Sequence, residues 1–182
     1  MTRDFSGHSV LVTGGTEGIG KATAEVFARA GARVTVNGRD EERLERALAE
    51  LGEAGDVRGI AADVANPRHC ESLYAAVTKD GPLDVLVNNV GIFEVKPFAE
   101  IDDEEWFRYF NVNVMSAVRM CRLALPPMLA GHSGRVVTVA SEAGVKPLPE
   151  MIHYSVTKTA LIGLMRGLAE MTKGTGVTVN SV

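Results

Sequence analysis

Short apolar runs alternate with segments of helical periodicity along the whole chain, and that alternation leaves few folds open. His8–Thr13, Arg33–Asn37, Val57–Ala61, Leu83–Asn88, Arg135–Ala140 and Val177–Val182 read as strands. Between them, Gly18–Ala30, Glu41–Leu51, Pro67–Lys79, Asp103–Ala130 and Tyr154–Thr172 read as helices, with apolar positions at i, i+3, i+4 and i+7 such as Leu44, Ala47, Leu48 and Leu51. Strands separated by helices of this length build βαβ units, which place strands parallel and helices on the sheet faces. The strands are read as continuous apolar runs, as burial on both faces requires. The expectation is an α/β protein with a doubly wound parallel sheet in three layers. No linker or composition break divides the 182 residues, so a single domain over 1–182 is expected.

Composition narrows the class of function. The net charge of −4 and the absence of a basic tail or stripe argue against a nucleic-acid partner. No apolar run approaches the ~18 residues a membrane helix needs, and Met1–Gly7 is too short and mixed for a signal peptide. Cys70 and Cys121 lie far apart inside helical patterns, which points to neither a disulfide nor a metal site. A cytoplasmic location is the expectation, with no membrane and no nucleic acid among the partners.

The first strand runs into Thr13-Gly14-Gly15-Thr16-Glu17-Gly18-Ile19-Gly20. A glycine turn between a parallel strand and a helix lets the backbone approach a pyrophosphate, which the free N–H groups and dipole of the helix N-terminus attract. A tight turn with no ligand would use glycines too, so this motif needs company. The spacing Gly14, Gly18, Gly20 resembles the T-G-x-x-x-G-I-G signature of the short-chain dehydrogenase/reductase family, including its 3-oxoacyl-carrier-protein reductases. Four further elements follow in that family's order: Asn88-Asn89-Val90-Gly91, Asn113 in the long helix, Ser141 after the fifth strand, and Tyr154-Ser155-Val156-Thr157-Lys158. Val179-Asn180-Ser181-Val182 is similar to the segment that leads into the family's Pro-Gly turn.

Tyr154 and Lys158, at i and i+4, share one helix face. A phenol with a pKa of about 10 is a poor proton shuttle near neutrality, and a cation one turn away favours the phenolate. A two-unit drop asks for about 2.7 kcal/mol of differential interaction. The resemblance implies roles. Tyr154 becomes the general acid/base, Lys158 its tuner and the holder of the cofactor ribose. Ser141 donates to the substrate oxygen, and Asn113 holds a water leading from Lys158 to solvent. Gly14, Thr16, Glu17, Gly18, Ile19 and Gly20 form the pyrophosphate turn, Asp63 and Val64 meet the adenine, and Asn89 lines the cleft. The implied fold is the Rossmann fold, and the implied reaction interconverts a small-molecule carbonyl and a secondary alcohol.

Val36-Asn37-Gly38-Arg39-Asp40 bears on the cofactor's 2′ position. The resemblance puts Gly38 where NAD-preferring members carry an acid, and Arg39 suits a phosphate. NADP(H) is therefore favoured over NAD(H). The bland alternative pairs Arg39 with Glu41, Glu42 or Glu17. Glu17 stands where NADP-preferring relatives often carry a base, and it opposes a phosphate unless Arg39 neutralises it.

The family continues past this chain's last strand with a Pro-Gly turn, a substrate-covering segment and a final strand and helix. A C-terminally incomplete Rossmann domain is thus expected, with the strand at 177–182 an open edge. The intact Asn113–Ser141–Tyr154–Lys158 set favours an active oxidoreductase. The alternative is a catalytically inactive dehydrogenase-like domain that binds nucleotide or a protein partner. The stretch from Glu142 to His153, with Lys146, Pro147, Leu148, Pro149 and Met151, is expected to form a partly apolar substrate wall. The helices carrying Asn113 and Tyr154 resemble the family's dimerising pair, implying a homodimer or homotetramer.

Overall fold

The computed structural model describes residues 4–182. In chain order its elements are β1 (Ser9–Thr13), α1 (Gly18–Arg29), β2 (Arg33–Gly38), α2 (Glu41–Leu51), β3 (Val57–Ala61), α3 (Pro67–Val77), β4 (Val85–Asn88), α4 (Asp103–Tyr109), α5 (Ser116–Ala130), β5 (Gly134–Thr138), α6 (Ile152–Met171) and β6 (Val177–Ser181). The sheet order is β3-β2-β1-β4-β5-β6, and every pairing is parallel. Strand order reverses between β1 and β4. The carboxyl ends of these two strands therefore diverge into opposite crossovers and leave a crevice between them.

Alternation along β1 divides the core. Val10 and Val12 point to the layer of α1 and α2, where they meet Ala24, Ala28, Val34, Val36, Leu44 and Leu51. Leu11 points the other way, to Leu73, Leu86, Met120, Cys121, Val136 and Met165 beneath α3, α5 and α6. Cys70 and Cys121 are free thiols inside this second layer. Burial raises the thiol of Cys121 to about 11, which leaves it inert at neutral pH.

Two expectations need correction. Coverage on both faces does not extend to β5 and β6. Val137, Thr178 and Asn180 line an open groove of about 380 Å³ with Phe5 and Phe27. The signal was present: Val177-Thr178-Val179-Asn180 alternates, with Val177 and Val179 in the core and Thr178 and Asn180 exposed, the mark of a strand wet on one face. The expected single helix over 103–130 is likewise interrupted. Phe110–Met115 form a wider π turn between α4 and α5, a feature frequent at functional sites because it re-aims side chains within a helix. Elsewhere the ends move only slightly; β4 starts at Val85 rather than Leu83, and α6 starts at Ile152.

Candidate active site and dinucleotide cleft

The glycine turn between β1 and α1 is built by exclusion of side chains. Gly14 and Gly18 hold φ of +62° and +53°, the left-handed region that glycine enters freely. A Cβ on Gly20 would strike the Gly14 carbonyl and the Asn89 amide, so α1 can begin only this close to the turn without one. Asn89 donates its amide to the Gly14 carbonyl at 2.8 Å, and its own N–H donates to Thr13 Oγ1 at 3.1 Å, tying β4 to the turn. Val90, where the resembling motif has Ala, packs its Cγ2 over Gly14.

The caps of the helices differ in a way that bears on anion binding. Asp40, Asn66 and Asp102 cap α2, α3 and α4 with side-chain acceptors, whereas Glu17 at the start of α1 makes no such bond. The first N–H groups of α1 are thus left for another acceptor. A cleft of about 450 Å³ opens beside them. Of the residues singled out in the sequence, Gly14, Thr16, Glu17, Arg39, Asp63, Val64 and Asn89 line it. Gly18, Ile19 and Gly20 flank it as the first turn of α1, and the Ile19 side chain is exposed. The crevice, the glycine cradle and the uncapped helix together fit an extended dinucleotide.

Asn37, which sequence reasoning passed over, organises the cleft's floor. It is buried, its carbonyl accepts from Gly15 N–H at 3.0 Å, and its amide donates to the carbonyls of Ile60 and Ala62 at 3.1 and 2.9 Å. It thereby fixes the end of β3 that leads to Asp63 and Val64. A polar residue closing the apolar run Val34–Val36 was the available signal. From the far side, Arg119 donates to Val64 O and to Asn111, whose amide reaches Ala65 O at 3.2 Å.

Charge at this end is arranged differently from the expectation. Glu17 stands 3.6 Å from Arg43 on α2 rather than beside Arg39. Arg39 makes no ion pair among the described residues, so the bland pairings with Glu41, Glu42 or Glu17 do not form. Sequence reasoning missed Arg43. Its position on the first turn of α2, one helical turn beyond Arg39, was the only hint. A Cβ at Gly38 would run into Thr16 Cγ2, so this position has no room for the acidic side chain of the NAD-preferring pattern unless Thr16 moves.

At the other end the cleft reaches Gly91 and Ile92. A Cβ on Gly91 would sit 3.5 Å from Lys158 Nζ and 3.7 Å from Asn113 Oδ1. Lys158 is buried on α6, donates to the Val139 carbonyl at 2.8 Å, and places its ammonium 5.6 Å from the Tyr154 ring centroid. Burial lowers its pKa to about 8. Asn113 lies in the π turn and is also buried. Its amide donates to Ile92 O at 3.0 Å and to Thr157 Oγ1 at 2.9 Å, and its Oδ1 accepts from Ile92 N–H at 2.8 Å. Thr157 in turn donates to the Tyr154 carbonyl at 2.7 Å. The side chain of Asn113 is therefore fully committed to the loop after β4 and to α6.

Ser141 begins the turn after β5, and its Oγ accepts from Ala143 N–H at 3.1 Å. That turn is pressed against α6. A Cβ on Gly144 would meet the Lys158 backbone at 2.9 Å, and Thr159 Oγ1 donates to Gly144 O at 2.8 Å. Leu148 N–H donates to Ser155 Oγ at 3.0 Å, so the loop before α6 is held along its length. Glu142 is exposed, as are Val145, Lys146 and Pro147. Phe93 meets Tyr154 edge-on at 6.1 Å with its own surface open to solvent. His153 precedes Tyr154 at the start of α6. It is fully buried against Tyr109, with ring centroids 3.9 Å apart, and its Nε2 is 3.8 Å from Glu105 Oε1, while the other carboxylate oxygen of Glu105 pairs with Lys96.

A parallel switch-point crevice with a glycine cradle, which at one end reaches Gly91 beside the buried Lys158, has the form of a dinucleotide-binding fold. Comparison with known proteins gives the family. Residues 8–182 match the family described as short chain dehydrogenase, and the chain belongs to it. It is 59% identical over 173 residues to the uncharacterized oxidoreductase YvrD of Bacillus subtilis (strain 168), covering 95% of this chain and 66% of that protein. The L-sorbose reductase of Gluconobacter frateurii, solved with NADPH and L-sorbose, superposes with a TM-score of 0.94 at 35% identity, covering 100% of this chain and 70% of that one. An actinorhodin polyketide ketoreductase variant solved with NADPH gives 0.93 at 36% identity, with the same coverage. The chain thus spans about two thirds of the length of these relatives. No helix among the described residues is long and apolar enough to cross a membrane.

Proposed function

We propose that this chain is the cofactor-binding and catalytic part of an NADP(H)-dependent oxidoreductase that interconverts a small-molecule carbonyl and a secondary alcohol, with Tyr154 as general acid/base. The observation that carries the reading is the Lys158 ammonium, buried, 5.6 Å from the Tyr154 ring and beside Gly91 at one end of the cleft. A cation in that position favours the phenolate, so Tyr154 can give and retake a proton near neutral pH.

The remaining groups divide the work. Ser141 accepts from Ala143 N–H with its oxygen, which leaves its own O–H to donate to the substrate oxygen as charge develops there. Lys158 keeps two further N–H donors beyond the bond to Val139, enough for the ribose hydroxyls. Asn113 has spent its side chain, so its part in holding a water toward Lys158 falls to its backbone carbonyl in the π turn. The nicotinamide, when bound, supplies the hydride and an adjacent positive charge. The α1 N-terminus and the glycine turn hold the pyrophosphate, and Asp63 and Val64 face the adenine.

NADP(H) rather than NAD(H) is supported by the uncommitted Arg39, by Gly38 standing where the resemblance places the acid of NAD-preferring members, and by the NADPH found in the two solved relatives. A homodimer or homotetramer is supported by Phe107 on α4 and Val156 on α6, which leave apolar surface exposed; light scattering reads that state directly. The test of the activity is NADPH consumption by the purified chain across a panel of ketones and quinones, with Tyr154→Phe alongside. Loss of turnover with cofactor binding retained is the expected result. Near wild-type turnover in Tyr154→Phe sinks the assignment.

A further inference from the structure

Four charged side chains meet at the adenosine end of the cleft: Glu17, Arg39, Asp40 and Arg43. Asp40 is already committed, since its carboxylate caps α2 by accepting from Arg43 N–H at 2.9 Å. That cap sets the first turn of α2 and so aims Arg43 back across the cleft, where its Nη1 lies 3.6 Å from Glu17 Oε1. Glu17 sits in extended backbone at the N-cap of α1; its carbonyl accepts from Lys21 N–H at 3.2 Å, but its carboxylate makes no cap bond, although a negative charge there suits the helix dipole. Its side chain turns instead toward α2. Arg39, which lines the same cleft, has no ion-pair partner among the described residues.

This arrangement solves a conflict that the residue types alone create. A 2′-phosphate carries nearly two negative charges at neutral pH, and a bare carboxylate at Glu17 would repel it. We propose that Arg43 is a specificity-determining positioning residue: it acts through Glu17, drawing that carboxylate toward α2 and cancelling its charge, so that Arg39 presents a net positive site to a 2′-phosphate. The inference rests on the NADP(H) reading above. It adds that Arg43 sets the preference without itself being the phosphate's ligand.

The geometry bounds the size of the effect. Arg43 and Glu17 are 57% and 75% exposed, so water screens them and each change is modest. The measurement belongs at low ionic strength, where exposed charges are felt most.

The experiment is calorimetric titration of the chain with NADPH, NADH and 2′,5′-ADP. The variants are Arg43→Ala, Arg43→Lys, Glu17→Gln and the double variant Glu17→Gln/Arg43→Ala. Arg43→Ala should weaken NADPH and 2′,5′-ADP about fivefold and NADH less than about twofold. Arg43→Lys should retain most of the preference, because the charge remains. Adding Glu17→Gln to Arg43→Ala should restore NADPH binding to within about twofold of wild type, since no carboxylate is left to neutralise.

A double variant as weak as Arg43→Ala alone overturns the inference and makes Arg43 a direct ligand. Equal losses for NADH and NADPH in Arg43→Ala overturn it too, by reducing Arg43 to a support for α2. Wild-type chain that binds NADH as tightly as NADPH, or binds neither, overturns the NADP(H) reading and the inference with it.

Discussion

The ammonium of Lys158 donates to the backbone carbonyl of Val139 at 2.8 Å, which pins α6 to the segment that carries Ser141. The bond couples two elements far apart in sequence, α6 and the end of β5. It also places a charge where water is scarce, and that has an energetic consequence.

Lys158 is depressed from 10.5 to about 8 by burial. At 1.36 kcal/mol per pKa unit, keeping the charge buried below pH 8 costs about 3 kcal/mol of stability. Its folded pKa is lowered, so the wild type regains this stability as pH rises from about 8 toward 10.5, where the unfolded chain also deprotonates. Lys158→Met should therefore raise stability at pH 7 by about 1–3 kcal/mol while removing activity, with the gap closing by pH 10. Urea denaturation at pH 7 and pH 10 checks it; a destabilised variant at pH 7 would falsify this account.

Asn113 joins three segments with one side chain, binding both the N–H and the carbonyl of Ile92 and the hydroxyl of Thr157. Truncation leaves the part-buried N–H and carbonyl of Ile92 without this partner, while Thr157 keeps its bond to the Tyr154 carbonyl. Asn113→Ala should cost about 2–4 kcal/mol in denaturant unfolding. A cost below about 1 kcal/mol would mean that water replaces the amide and that the joint is dispensable.

Gly20 has the Gly14 carbonyl and the Asn89 amide where a Cβ would go. Gly20→Ala must push α1 away from the turn. Thermal stability should fall by about 2 kcal/mol or more, and NADPH affinity should fall at least tenfold as the cradle widens. An alanine variant with unaltered nucleotide affinity would show that the close approach of α1 is not used by the ligand.

His153 has its pKa lowered from 6.5, chiefly by burial, with Glu105 opposing the shift. A depressed folded pKa means that the unfolded chain takes up the proton first. The contribution to stability is complete above pH 6.5 and is lost as pH falls below it. Relative to His153→Leu, the wild type should lose stability between pH 7 and pH 5. Parallel stability curves for the two proteins over that range would contradict the assignment of His153 as a buried neutral ring.

Much of this molecule was legible from local pattern. The apolar runs and period-3.6 stretches located the strands and helices to within a few residues, apart from the π turn that divides the helix expected over 103–130, because burial in a sheet or on a helix face imposes such patterns on any chain. The glycine turn and the order of Asn113, Ser141, Tyr154 and Lys158 were likewise visible, since a strand-to-helix turn and an i, i+4 pair are set by neighbours in sequence. The exposed face at Thr178 and Asn180 was present as alternation and was overread as a buried run.

What only the tertiary structure decided were pairings across the fold. Nothing local says that Glu17 answers to Arg43 rather than Arg39, because the first turns of α1 and α2 meet only once β1 and β2 have paired. Asn37 and the committed amide of Asn113 are of the same kind; their partners at Ala62 and Thr157 are brought in by strand order and helix packing. The π turn at Phe110–Met115 also depends on what surrounds it, since a helix takes the extra residue only where neighbouring elements stabilise it. Sequence alone determined which elements form and which chemical groups they carry. The sheet's topology, by bringing the carboxyl ends of β1, β4 and β5 together, decided which of those groups touch, and contacts across such distances leave no periodic trace along the chain.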